Sequence, residues 1–191
     1  MVQLTQIAHE LIRDFIKTGD LVIDATCGNG HDTFFLSELV GESGMVLACD
    51  LQQLAIDATK DRCRERKNID YHLGDHAEVL QSLLEKNQSS VSAILFNLGY
   101  LPGGDKSLTT QGPATVSAIQ LGLRLLKRGG VLSVLAYVGH PGGIDEANAV
   151  ESFLTKSIDS AELHKIHWPD ESRPATSPRL YVVCKGSLNE S

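Results

Sequence analysis

Asn97 and Tyr100 stand three residues apart in the stretch FNLGYLPGGDK, just past an apolar run over residues 91–96. An amide and an aromatic ring at the end of a buried run can grip a planar or amine-bearing group. Three aspartates hold comparable positions: Asp24 closes LVID, Asp50 closes MVLACD, and Asp75 follows IDYHL in the segment LGDHAE. One such aspartate could be an ordinary helix N-cap. Three together suit a ligand that carries hydroxyls, amino groups and positive charge.

The first of these runs leads into DATCGNGHDT. In open α/β sheets, ligands bind beyond the carboxyl ends of the strands. Gly28 and Gly30 let the backbone approach a ligand closely, and Asp50, twenty residues after Gly30, is placed to accept from ribose hydroxyls. A dinucleotide site would want G-x-G-x-x-G with pyrophosphate on the helix N-terminus. Here the third glycine position holds Thr33, and Asp32 would repel a pyrophosphate. Asp32 suits a cofactor with a sulfonium and an amino group, which S-adenosylmethionine has. Asp75 supplies an acceptor for its adenine. The cofactor-binding set is Asp24, Cys27, Gly28, Asn29, Gly30, His31, Asp32, Thr33, Asp50, Leu51, Asp75, His76 and Asn97.

Asn97 lies where the methyl group of such a cofactor would point. N-L-G-Y is a variant of the [DNS]-P-P-[YFW] tetrad of amino methyltransferases, with Leu98 and Gly99 replacing the prolines. The Asn97 amide oxygen and the Leu98 carbonyl can hold the N–H groups of an amine and aim its lone pair. Tyr100 can stack on a base or face a cation. Cytosine C5 transfer would need a cysteine nucleophile, and none follows the fourth strand before Cys184. Ribose 2′-O transfer commonly uses a lysine-centred charge set. Lys106 is the sole lysine of this loop, and its simpler role is a contact to phosphate or substrate. An alkylamine is mostly protonated at neutral pH, with a pKa of roughly 10, so a proton acceptor is needed. His140, in GHPGG after the fifth strand, is the candidate by residue type, weighed equally against a plain turn residue. Lys106, Arg173 and Arg179 are the candidate RNA contacts. His72 and His76 straddle a strand end and do not form a helical metal pair; no metal is expected.

These groups need a scaffold. Leu4, Ile7, Ala8, Leu11, Ile12, Phe15 and Ile16 recur at helical spacing and predict a first helix that stops near Gly19. Strands LVIDATC, MVLACD, IDYHL, VSAILF and GVLSVLAYV alternate with helices over residues 32–40, 52–67, from Gly74 into LLE, and 113–128. A helix over 144–158 precedes AELHKIHW and RLYVVCK, which no helix separates. The alternation predicts an α/β fold with a seven-stranded, mostly parallel sheet and an antiparallel C-terminal edge hairpin. Residues 1–191 read as a single domain. The run KDRCRERK over 60–67 is expected on a helix as a solvated face.

Lys plus Arg total 17 against 24 Asp plus Glu, a net charge of -7. That argues against a general nucleic-acid coat but leaves room for a local patch. The four cysteines form no C-x-x-C, which points away from zinc and from a disulfide framework and toward a reducing compartment. No apolar run is long enough for a membrane span, and no signal-peptide core opens the chain. A cytoplasmic protein is expected. The sequence leaves a homodimer open.

DATCGNGHDT, NLGYLPGGDK and YVGHPGG together resemble the tRNA 5-aminomethyl-2-thiouridine methyltransferases, a family formerly labelled rRNA methylases. The resemblance runs from the first helix to the last strand. It implies a class I S-adenosylmethionine-dependent methyltransferase fold of Rossmann-like type. It also implies tRNA as partner, through its anticodon region. The reaction would be transfer to the aminomethyl nitrogen of the wobble base, giving 5-methylaminomethyl-2-thiouridine. Thr26 departs from the glycine usual in the first motif of the wider superfamily, and SRPATSPRL matches no pattern of the family. An N-methyltransferase of rRNA or of a small amine, or a non-catalytic cofactor-binding module, are the alternatives.

Overall fold

The computed structural model describes residues 3–86, 90–99, 112–170, 172, 174 and 176–186. Strands β1 (Leu21–Asp24), β2 (Met45–Asp50), β3 (Ile69–Leu73), β4 (Val91–Leu98), β5 (Leu126–Ala136), β6 (Leu163–His167) and β7 (Arg179–Lys185) form a 7-stranded sheet of order β3-β2-β1-β4-β5-β7-β6. The first five strands pair in parallel, and β7 runs antiparallel to both β5 and β6. The expected edge hairpin is therefore present, with β7 inside and β6 outermost. Helices α1 (Leu4–Ile12), α2 (His31–Val40), α3 (Gln53–Arg62), α4 (His76–Glu85), α5 (Gly112–Leu125) and α6 (Gly143–Asp159) cover the two faces. Among the described residues, no helix is long and apolar enough to cross a membrane.

Side chains of a strand alternate between the two faces of its sheet. Along β4, Ala93 and Leu95 pack with Ala8 and Ile12 of α1 and Leu36 of α2. Ile94, Phe96 and Leu98 pack the other way, with Leu80 of α4, Ile119 of α5 and Val150 of α6. Both faces are apolar, which is why β4 reads as an unbroken hydrophobic run. The same period sends Asn97 to the α1–α2 face. Phe96 is fully buried on the opposite face, and its replacement by Ala would cost about 3–5 kcal/mol of stability.

Three boundaries differ from the sequence pattern. The first helix ends at Ile12 and continues as a 3-10 turn over Arg13–Phe15, after which Ile16 turns extended and enters the core. Helix α3 ends at Arg62, so only the first part of KDRCRERK is helical. Cys63 turns inward, and Arg66 bonds Glu38 at 2.6 Å from the following turn. Helix α5 ends at Leu125 and β5 starts at Leu126. Leu126 pairs with Val91 and Val131 with Ala93, so KRGG is an outward irregularity in a strand and not the end of a helix. Lys127 there reaches Asp20 at 3.3 Å.

Candidate active site

The carboxyl ends of the parallel strands open into a cavity of about 690 Å³. It lies where β1 is flanked by β2 on one side and β4 on the other, the switch point at which open α/β sheets bind ligands. Thr26, Cys27, Gly28, Asn29, His31 and Asp32 line it after β1. Asp50, Leu51 and Gln52 line it after β2, and Gly74, Asp75 and His76 after β3. Asn97 near the end of β4 and Gly99 just past it line it too, and Tyr137, Val138, Gly139 and His140 follow β5. Thr5 of α1, Ala114 of α5, and Thr176 and Pro178 before β7 complete the wall.

On the β1–β3 side the carboxylates are fixed by backbone. Asp50 accepts from Gly28 N and Gln52 N, both at 3.0 Å. Each carboxylate oxygen has a second lone pair for a ligand hydroxyl. Asp75 is the N-cap of α4, accepting from Ala77 N at 2.8 Å, and it also lines the cavity. His76 is pushed toward the neutral form by burial. Its ring stands edge-on to Phe96 at 5.8 Å, and its Nε2 is buried without a hydrogen-bond partner.

Asp24, Gly30 and Thr33 do not line the cavity; they lie beneath the loop. Asp24 is fully buried and accepts from Thr33 Oγ1 at 2.5 Å and Thr26 N at 3.3 Å. Burial, then the neighbouring charge of Asp32, pushes its carboxyl upward. Gly30 has φ 77°, and a Cβ there would come 2.8 Å from Thr59 Cα, so this glycine lets α2 start against α3. The Cys27 thiol is buried and pushed well above its ordinary value by that burial, so it is no nucleophile at neutral pH.

On the β4–β5 side the polar groups are held by side chains. Asn97 N donates to Thr26 Oγ1 at 2.6 Å. Asn97 Nδ2 donates to Asp32 Oδ2, and the other oxygen, Asp32 Oδ1, lies 2.6 Å from His9 Nε2. The Leu98 side chain is buried, and its carbonyl accepts from Tyr137 N at 2.9 Å, which leaves one lone pair for a ligand. A Cβ on Gly99 would sit 3.3 Å from Tyr137 Cβ, so the β4 end lies against the tyrosine. Burial, then Asp32, pushes the Tyr137 phenol upward, so it stays protonated.

His140 lines the cavity, but its nitrogens face its own turn. Nδ1 lies 3.1 Å from Pro141 O, and Nε2 is buried where a Cβ on Gly143 would approach to 2.9 Å. Arg179 pairs with Ala136 at the strand-end rim, yet its guanidinium turns to α6, on Asn148 at 2.8 Å and Glu151 at 3.2 Å. Tyr100, Lys106 and Arg173 lie outside the described residues.

Sequence reasoning missed His9, Thr5 and Tyr137. Thr5 and His9 are one helical turn apart on the flank of the apolar face of α1, a weak signal that is visible only in retrospect. Tyr137 stands in the quoted YVGHPGG motif and brings an aromatic ring to the wall. Thr26 was visible as a departure from glycine; its use is to anchor Asn97.

Among the described residues, the lining includes carboxylates Asp32, Asp50 and Asp75 and no lysine or arginine. That wall fits S-adenosylmethionine, with its sulfonium and amino group, and opposes a pyrophosphate. Unpartnered His76 Nε2 adds a polar group for a base edge. Among the described residues, no cluster of His, Cys, Asp and Glu is placed to hold a metal ion.

Sheet order and strand-end cavity define the class I S-adenosylmethionine-dependent methyltransferase fold. The chain belongs to the family described as "Putative rRNA methylase", whose model matches residues 46–184. It is 39% identical over 160 residues to the chloroplastic tRNA (mnm(5)s(2)U34)-methyltransferase of Arabidopsis thaliana, a match covering 78% of this chain and 58% of that longer relative. A Clostridium thermocellum crystal structure, described in nearly the family's words, superposes with a TM-score of 0.86 at 34% identity, covering 97% of this chain and 98% of the other. A Streptococcus mutans "putative methyltransferase" solved in complex with SAH gives a TM-score of 0.82 at 30% identity, over 97% and 99% of the two chains.

Proposed function

We propose that this protein is an S-adenosylmethionine-dependent tRNA methyltransferase. In this reading it methylates the aminomethyl nitrogen of 5-aminomethyl-2-thiouridine at the wobble position. The observation that carries the reading is Asn97, tied through its backbone to Thr26 and through its amide nitrogen to Asp32. Asp32 as a carboxylate can only accept, so the amide must turn its nitrogen there and keep Oδ1 for an acceptor N–H. The activity named for the Arabidopsis thaliana relative supports the substrate.

When bound, S-adenosylmethionine supplies an electrophilic methyl group on a positive sulfur. Asp50 would hold the ribose hydroxyls, Asp75 and His76 would meet the adenine, and the Gly28 loop would offer close backbone approach to the cofactor. Asn97 Oδ1 and the Leu98 carbonyl orient the amine nitrogen, a positioning effect that removes much of the entropic barrier. Tyr137 flanks the acceptor, and Tyr100, three residues after Asn97 in the sequence, supplies a second aromatic ring for the base. His140 takes the proton, for which its ring must turn from Pro141. Lys106 and Arg173 contact the anticodon region, joined by Arg179 once its guanidinium leaves Asn148 and Glu151. The scattered, buried thiols suit the cytoplasm.

A second reading, rRNA as substrate, is favoured by the family's description. Mass analysis of tRNA nucleosides from a strain lacking the gene separates the two. Unmethylated 5-aminomethyl-2-thiouridine accumulates if the proposal holds. An unchanged wobble nucleoside contradicts it and returns attention to rRNA or small amines.

A further inference from the structure

The polar chain at the acceptor end does not stop at the strand ends. It runs from Asn97 Nδ2 to Asp32 Oδ2, and from Asp32 Oδ1 to His9 Nε2 at 2.6 Å. His9 belongs to α1, which precedes the sheet and contributes Thr5 to the cavity wall. The imidazole is also fixed by stacking: it lies parallel to Phe35 of α2, with ring centroids 3.8 Å apart and an interplanar angle of 1°. Arg13 lies over the Phe35 ring as well, 5.4 Å from its centroid.

An asparagine amide has two orientations of nearly equal shape, and only its hydrogen-bond partners choose between them. An acceptor-only carboxylate makes that choice, provided the carboxylate itself is held. Asp32 is largely buried at the first turn of α2. With a donor on Oδ1 it keeps Oδ2 facing Asn97. Without that donor, the carboxylate is free to rotate about its own side-chain bond and release the amide. A donor role at Nε2 requires the hydrogen to sit on that nitrogen.

We propose that His9 is a positioning residue: acting through Asp32, it locks the Asn97 amide with Oδ1 kept for the acceptor amine. The kinetic part of this inference rests on the amine-acceptor reading above. The plainer role for His9, gluing α1 to α2, would show in stability and would not single out the amide.

The test compares His9→Leu, which keeps apolar bulk without a donor, with His9→Gln, whose amide can still donate to Asp32. Three quantities are read on protein verified as folded by thermal unfolding. They are turnover at saturating S-adenosylmethionine on tRNA bearing 5-aminomethyl-2-thiouridine, cofactor affinity by calorimetry, and the ¹H–¹⁵N signal of the Asn97 side-chain amide. His9→Leu is expected to lower turnover about tenfold, the scale of one lost charge-assisted hydrogen bond. Cofactor affinity stays within about twofold on the same reasoning, because the lost bond does not face the cofactor. The amide signal should move away from its wild-type position, and His9→Gln should restore both turnover and signal. Full turnover in His9→Leu, an unmoved amide signal, or a folded His9→Gln as slow as His9→Leu would each overturn the proposal. If His9→Leu does not fold, His9→Gln alone decides: wild-type signal and turnover support the proposal, and their loss overturns it. A wild-type protein inactive on this tRNA refutes the amine-acceptor reading instead, and the amide signal still decides whether His9 positions Asn97.

Discussion

On the β1–β3 side of the cavity, polar groups are set by the main chain. Asp50 is held by two backbone N–H groups and Asp75 by the first turn of α4. On the β4–β5 side, Asn97 is set by side chains from elsewhere, Thr26 from the loop after β1 and Asp32 from α2. The first side is thus held by main-chain donors of the strand-end loops. The second depends on particular residues, as expected where a common donor site meets a specific acceptor. In functional terms, damage to the first side should appear as lost cofactor affinity, and damage to the second as lost turnover.

Asn97→Ala is expected to break the acceptor side most completely. Turnover should fall about 10²-fold or more, the scale of a misplaced reactant, with cofactor affinity nearly intact. Single-turnover kinetics beside calorimetry checks this, and a parallel loss of binding would erase the division between the sides. Asp50→Ala tests the other side. A charged acceptor lost to ribose hydroxyls should weaken S-adenosylmethionine about tenfold, with turnover at saturation close to wild type. Unchanged affinity in calorimetry would remove Asp50 from the ribose.

Thr26→Val keeps the shape of the residue that joins the two sides and removes its hydroxyl. Leaving Asn97 N without that partner costs about 1 kcal/mol, or roughly fivefold in turnover. An unaffected rate would show that the strand end holds Asn97 unaided. His140→Ala should have the smallest effect. A well-placed general base contributes about 10²-fold or more, but both ring nitrogens face their own turn. A loss of about threefold at neutral pH is expected, recovering as pH rises toward the amine's pKa of about 10. A wild-type pH–rate profile would make His140 a turn residue only.

The strands were legible because each is a short apolar run, and the acids at their ends were legible because a strand end is local. The α5–β5 boundary was not, since Gly129 and Gly130 read as a helix stop although they lie within β5. The end of α3 was hidden because Arg64, Arg66 and Lys67 look like a continued solvated face. Within the site, His9 was illegible for a different reason. Its partner Asp32 is 23 residues away, and only the docking of α1 on α2 joins them. Thr26 stood out by type, but its bond crosses 71 residues to Asn97. Tertiary hydrogen bonds of this kind leave no periodicity to read.

The central claim concerns which atom receives the methyl group. Purified protein, S-adenosylmethionine with a labelled methyl, and tRNA bearing 5-aminomethyl-2-thiouridine test it directly, with tRNA lacking the aminomethyl group and rRNA as controls. After digestion, the account predicts label in 5-methylaminomethyl-2-thiouridine alone, on the aminomethyl nitrogen. Label in any other nucleoside, or in rRNA while this tRNA stays unlabelled, would contradict it.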